Sequence, residues 1–135
     1  MKELTVYIDG ASRGNPGKAS IGLVIYSDKT LLKKIGVRIG VATNNVAEYT
    51  ALITALIECI RYKPDKLKIK SDSQLLVRQM EGTYKTKDEY LKKLNFIATR
   101  LISLFDSVSL THIPREENEM ADKVAENALK EDTLF

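Results

Sequence analysis

Hydrophobic and polar positions alternate from the start of the chain. Leu4, Val6 and Ile8 are separated by Thr5, Tyr7 and Asp9, a period of two that predicts a strand ending at Asp9. The stretch Gly10-Ala11-Ser12-Arg13-Gly14-Asn15-Pro16-Gly17 then predicts a turn, because glycine supplies positive φ and proline presets a turn dihedral. A second strand is expected from Ala19 to Ser27, a turn at Asp28-Lys29, and a third strand from Thr30 to Gly40. A parallel crossover needs about a dozen residues, so connections this short imply an antiparallel meander.

The period then changes. From Asn45 to Arg61, Ala51, Leu52, Ala55, Leu56 and Cys59 follow helical spacing, with Thr43 or Asn44 available as the cap. Lys63-Pro64-Asp65 ends the helix, and Lys66 to Ser71 reads as a fourth strand. Strand–helix–strand order makes a crossover, so this strand should run parallel to one of the meander strands. A short helix is expected from Ser73 to Glu81, closed by Gly82. A longer one is expected from Glu89 to Leu104, with Leu91, Leu94, Ile97, Ala98 and Leu101 as its stripe. Val108 to Ile113 is a fifth strand, Pro114 breaks it, and Asn118 to Lys130 is the last helix. The fold class is therefore α/β, a mixed five-stranded sheet flanked by helices. Leu134-Phe135 is left open between capping the core, a dimer contact and fraying.

Composition narrows the class without choosing a function. With 135 residues, 44% hydrophobic and 29% charged, residues 1–135 are expected to form one domain of an ordinary soluble protein. No apolar run is long enough to span a membrane, and no signal-peptide core opens the chain. The single cysteine, Cys59, falls among Leu56, Ile57 and Ile60 and reads as a buried thiol in a reducing compartment, hence a cytoplasmic setting. A net charge of +3 does not establish nucleic-acid binding. Its distribution is more informative: Lys29, Lys33, Lys34 and Arg38 line the second hairpin, and Lys85, Lys87, Lys92 and Lys93 cluster before and within a helix.

Four acids stand where packing alone would not put them. Asp9 and Asp72 sit at the ends of the first and fourth strands, and ligand crevices in open α/β sheets lie at strand carboxyl ends. Glu48 shares a helix face with Leu52, Ala55 and Cys59, and Asp122 aligns with Ala125 and Leu129. Acids converging from separate elements repel unless cations lie between them. With no histidine or thiolate beside them, the set suits Mg²⁺ or Mn²⁺. Two such ions about 4 Å apart clamp the attacking water and leaving oxygen of a phosphodiester. Zinc catalysis and a Ser–His–Asp triad would each have to use His112. A Walker-type loop is absent, since Gly14-Asn15-Pro16-Gly17 lacks the lysine and joins strands.

The motifs Asp9-Gly10-Ala11-Ser12-Arg13-Gly14-Asn15-Pro16-Gly17, Thr43-Asn44-Asn45-Val46-Ala47-Glu48, Ser71-Asp72-Ser73-Gln74 and Asn118-Glu119-Met120-Ala121-Asp122 together resemble type 1 ribonuclease H, in order and over nearly the whole chain. The resemblance implies a ribonuclease-H-like fold with strand order 3-2-1-4-5. It implies a two-metal endonuclease that cuts RNA paired to DNA and leaves 5′-phosphate and 3′-hydroxyl ends. It makes Asp9, Glu48, Asp72 and Asp122 catalytic metal ligands, with Glu48 also near the ribose 2′-hydroxyl. It makes Asn15, Asn44, Asn45 and Gln74 minor-groove contacts, a role for which amides that both donate and accept are suited. Ser12 and the backbone from Gly14 to Gly17 become RNA contacts, and Thr43 a residue near the DNA-phosphate pocket.

Three departures accompany the resemblance. Gly82 to Asp88 is too short for the basic protrusion that many members use to grip DNA, which leaves Lys85, Lys87 and Arg78 as substitutes and keeps duplex RNA open as a substrate. No N-terminal hybrid-binding module precedes the first strand, and no obligate protein partner is evident. The loop that carries a mobile histidine in many members reads Pro114-Arg115-Glu116-Glu117 here. His112 precedes it in phase with Val108 and Leu110, which favours a strand-face residue. Arg115, by contacting phosphate, or Glu116, by drawing a metal away, stands in its place. A binding module without catalysis is the alternative of a different class.

Overall fold

The structure, a computed structural model, describes residues 2–130, so the roles considered for Leu134-Phe135 lie outside the described residues. Five strands and four helices follow in the order β1 (Glu3–Gly14), β2 (Gly17–Ser27), β3 (Thr30–Ala42), α1 (Asn44–Ile60), β4 (Lys66–Ser71), α2 (Gln74–Glu81), α3 (Glu89–Ile102), β5 (Val108–His112) and α4 (Glu119–Lys130). The sheet order is β3-β2-β1-β4-β5, with the first three strands antiparallel and β4 parallel to both β1 and β5. This is the expected ribonuclease-H-like sheet.

The alternation read from sequence sorts the two faces. Leu4, Val6 and Ile8 point with Ile21, Leu23, Ile25, Leu67 and Ile69 into the core beneath α1. Helix α1 buries Leu52, Ala55, Leu56 and Cys59 there; each large aliphatic side chain removed from water contributes roughly 1.5–3 kcal/mol. Burial pushes the Cys59 thiol up to about 12, which leaves it un-ionised and unreactive. A buried polar link ties α1 to its neighbouring helices: Tyr49 Oη donates to Gln79 Oε1 at 2.8 Å, and Asn95 Nδ2 donates to Tyr49 Oη at 3.2 Å. The opposite face carries α4, packed across β1, β2 and β3.

Two expectations are corrected. Strand β1 does not end at Asp9. It continues through Gly10–Gly14, because the residues read as a turn pair with β2 in register, Gly10 with Ile21 through Arg13 with Lys18. Only Asn15-Pro16 turns. Asp9 is therefore mid-strand, although it stands one residue past the last β1–β4 pair, Ile8 with Ser71. Ile97, placed on the buried stripe of α3, is 44% exposed. That helix packs against α1 rather than the sheet, so its apolar stripe is only partly covered.

Candidate active site

Each acid is delivered by a different element, and two close approaches bring them together. Gly10 lies directly under the first turn of α1. A Cβ there would stand 2.4 Å from the Ala47 carbonyl carbon and 2.5 Å from the Glu48 nitrogen, so only glycine admits the helix at this distance. The Gly10 N–H donates to Glu48 Oε1 at 2.9 Å, which fixes that carboxylate next to Asp9. On the other face, Gly22, the β2 partner of Asp9, would place a Cβ 2.3 Å from the Ala121 carbonyl oxygen and 2.6 Å from the Ala125 nitrogen. That contact seats α4, and with it Asp122, over the centre of the sheet.

Asn118 completes the frame. It is 1% exposed, and its Nδ2 donates to the Ile8 carbonyl at 2.8 Å, immediately before Asp9. Its backbone carbonyl accepts from the Asp122 N–H at 3.1 Å. Its side chain also faces Asp72 and acts against the rise of that carboxyl. One amide thus ties β1, the residue after β4 and the start of α4. Its Oδ1 is buried without a partner.

Asp9, Glu48 and Asp72 each offer a carboxylate oxygen within 4.8 Å of the other two. Asp122 lies against Asp9 and lines the same cleft of about 380 Å³, together with Gly10, Ser12, Asn44, Arg115 and Glu126. Burial pushes the Asp9 carboxyl up to about 8, with the charges of Asp72 and Asp122 adding to it and Arg115 opposing. Glu48 is also held well above the carboxylate range, first by burial and then by Asp9 and Asp72, against the Gly10 hydrogen bond. Asp72 is raised by burial, with Asn118 and Arg115 acting the other way. Protein cations do not neutralise the cluster, since Arg115 only opposes a rise it does not cancel. An all-oxygen donor set in this state fits a hard divalent cation, which would replace the protons these carboxyls otherwise retain.

The remaining sequence-predicted residues divide by location. Thr43 caps α1, its Oγ1 accepting from the Val46 N–H at 3.2 Å. Asn15 Oδ1 accepts from the Asn44 N–H at 3.0 Å, which joins the β1–β2 tip to the start of α1. Ser12 Oγ lies within donating distance of the Gly14 carbonyl and of the Ala42 carbonyl, the latter at 2.8 Å, so its proton is engaged within the β1–β2 tip and the end of β3. Gly14 has φ +114° at the tip. Asn45 is half-buried in the first turn of α1, and Gln74 is exposed as the first residue of α2, two after Asp72. Of the three loop candidates, Arg115 lines the acid cleft. His112 is exposed at the end of β5 and does not line it, and Glu116 lines a separate groove on the far side of the 3₁₀ turn at Arg115–Glu117.

The framing roles of Gly10, Gly22 and Asn118, and the presence of Glu126 in the cleft, were not read from sequence. Glu126 had a signal, since it stands four residues after Asp122 on the same helix face. Gly22 had none, because a glycine inside an apolar strand pattern marks close approach without naming the partner.

The profile of the family described as reverse transcriptase-like matches residues 7–128. A protein of Halobacterium salinarum named ribonuclease HI is 45% identical over 124 residues, which cover 91% of this chain and 62% of that protein. The chain thus spans less than two-thirds of the length of that relative. The crystal structure of RNase H1 from the same archaeon superposes with a TM-score of 0.92 at 43% identity, covering 95% of this chain and 98% of that one. That of LC11-RNase H1 in complex with an RNA/DNA hybrid gives 0.88 at 38% identity, covering 94% and 96%. Profile, sheet order and these superpositions agree, and the chain belongs to the ribonuclease-H-like family.

Proposed function

We propose that this protein is a metal-dependent endoribonuclease that hydrolyses the RNA strand of RNA–DNA hybrids and leaves 5′-phosphate and 3′-hydroxyl ends. The observation that carries the reading is the convergence of Asp9, Glu48 and Asp72 within 4.8 Å, beside Asp122, in a chain of this family. The similarity to a ribonuclease H1 solved with an RNA/DNA hybrid supports the substrate class.

The four acids would hold two Mg²⁺ or Mn²⁺ ions. Bound there, the ions would supply charge neutralisation at the scissile phosphate and an activated water. The chain's own groups do the positioning. Gly10 holds Glu48 through its N–H, Asn118 holds the backbone before Asp9, and Arg115 adds a cation for a non-bridging phosphate oxygen. The Asn15–Asn44 bridge, Asn45 and Gln74 present amides around the cleft for 2′-hydroxyls and base edges, and Ser12, Gly14 and Thr43 complete the contact surface. Arg115 is the loop residue best situated to assist product departure. Residues 1–135 act in this reading as one catalytic domain in the cytoplasm, and no helix among the described residues is long and apolar enough to cross a membrane.

Cleavage of duplex RNA is a second reading, favoured by the short connection Gly82–Asp88, which carries no helix to grip a DNA strand. The test uses labelled RNA–DNA, RNA–RNA and DNA–DNA duplexes with Mg²⁺ or Mn²⁺, comparing wild type with Asp9→Asn. Metal-dependent cuts in hybrid RNA by wild type alone are expected. No cleavage of the hybrid would sink the proposal, and equal cleavage by Asp9→Asn would sink the acid assignment.

A further inference from the structure

A second groove opens at the far end of α4 from the acids. Its volume is about 460 Å³, and Arg13, Lys18, Arg38 and Lys130 line it over an apolar floor that includes Val41 and Leu129. Its place in the fold follows from strand register. Asp9, Ala11 and Arg13 share a face of β1, so Arg13 lies about 14 Å from Asp9 along the strand. Lys18 is paired with Arg13, Ser20 with Ala11, and Arg38 with Ser20, which puts all three cations on that same face.

Helix α4 bridges the two sites. Ser20 Oγ donates to the Ala125 carbonyl at 2.6 Å and Arg38 Nε donates to the Ala128 carbonyl at 3.0 Å. The helix therefore runs from Asp122 and Glu126 in the acid cleft to Leu129 and Lys130 in the groove.

Among the described residues, Arg13, Lys18, Arg38 and Lys130 have no carboxylate ion pair, as is true of most of the chain's cations, but here four of them line one hollow. The Arg38 hydrogen bond uses only Nε, which leaves its terminal nitrogens free to donate and holds the guanidinium in place. Four like charges around one hollow repel until an anion enters. The exposed floor at Val41, 72% exposed, offers an apolar surface for sugar rings. A polyanion with phosphates at short intervals, continuous with whatever occupies the acid cleft, meets both features.

We propose that this groove is a phosphate-backbone subsite, which holds the scissile RNA strand a few nucleotides away from the bond cut at the acids. The inference rests on the nuclease reading above and adds a site to it. The prime contribution is electrostatic, so it should appear as salt dependence of binding rather than as chemistry.

The test reads binding by fluorescence anisotropy of a labelled RNA–DNA hybrid in an Asp9→Asn background with Mg²⁺, across a KCl series. Two double variants are compared with that background: Arg13→Ala with Lys18→Ala, and Lys18→Ala with Lys130→Ala. The second replaces Arg13 by a position on α4, so that the two variants share only Lys18. Both should weaken binding about three- to tenfold at low salt and reduce the slope of log K against log[KCl] by about 1–2. Shortening the RNA strand on one side of the cut should abolish the difference, and shortening the DNA strand should not. An unchanged slope, or a lowered melting temperature with no change in slope, would overturn the subsite. Loss of the difference on shortening DNA alone would overturn the strand assignment. Wild-type cleavage of the same hybrid is scored separately, so failure of the nuclease reading and failure of the groove remain distinguishable.

Discussion

Two hollows on this protein, on either side of the 3₁₀ turn at Arg115–Glu117, differ in kind. The groove bounded by Thr5, Tyr7, Tyr26, Met120 and Lys123 encloses about 630 Å³, against about 380 Å³ for the acid cleft. The larger one is where the amino end of α4 leaves the sheet face uncovered. Tyr7 and Tyr26 meet edge to face there, and the Tyr26 hydroxyl reaches the Met120 sulfur at 3.6 Å. Its charges, Glu116, Glu117, Glu119 and Asp28 with Lys29 and Lys123, are of both signs and stay near solvent. In the smaller cleft like charges are forced inward, against their hydration, by a helix seated on Gly10 and another seated on Gly22. Volume reflects where elements fail to cover one another. Chemistry lies where the fold tolerates an electrostatic cost that a ligand can relieve.

That contrast can be tested at several strengths. Asp9→Asn should lower hybrid cleavage by on the order of 10³-fold or more in a single-turnover assay. The same change should stabilise the metal-free protein by about 1–3 kcal/mol at neutral pH in chemical denaturation, since it removes a desolvated carboxyl. A variant that loses both activity and stability would mean that the acid serves the fold. Gly10→Ala should come next, destabilising by about 1–3 kcal/mol through overpacking against Ala47 and Glu48 and shifting the denaturation midpoint.

Asn118→Ala should cut activity by about 10- to 100-fold and raise the metal concentration needed for half-maximal rate. Asn118→Asp, which keeps the shape but replaces the donor to Ile8, should behave alike. An unchanged metal dependence in both would restrict Asn118 to a structural role.

Proton linkage gives a further discriminator. The folded Asp9 carboxyl is raised from 3.8 to about 8, so between those values the folded state holds a proton that the unfolded chain releases. Stability of the metal-free protein should therefore fall as pH rises through that window. Thermal melts in chelator at pH 5 and pH 8 should show the drop in wild type, a smaller drop in Asp9→Asn, and recovery at pH 8 on adding Mg²⁺. The smallest effect is expected in the larger groove. Tyr26→Phe removes one weak contact to sulfur and should change stability by less than about 0.5 kcal/mol, with cleavage unaltered.

Element types were legible in the sequence because periodicity reports which side of a strand or helix is apolar. The meander, the crossover and all four helices follow from it. The overrun of β1 was not legible. Gly10 to Gly14 has the composition of a turn, and only the pairing partner on β2 supplies the ladder that keeps it extended. Ile97 was misread for a related reason: helical spacing marks a stripe, but nothing local says how much of it a neighbour covers. His112, Arg115 and Glu116 were equally arguable within one loop, and the 3₁₀ turn after Pro114 turns Arg115 toward the acids and Glu116 away.

The sequence by itself singled out the four acids, since acids on apolar faces or beside strand ends are conspicuous against hydrophobic periodicity. Connection lengths determined that the first three strands form an antiparallel meander and that the fourth runs parallel to one of them, whereas the full order came from the resemblance and from the pairing of β4 with β1. Only the tertiary structure decided which acids lie within reach of one ion, that a glycine and a buried amide hold them there, and that Arg13, Lys18, Arg38 and Lys130 meet in one groove. Local patterns encode the direction in which a side chain points within its own element. The distance between elements is set by how closely two backbones pack, and that depends on residues far apart in the chain.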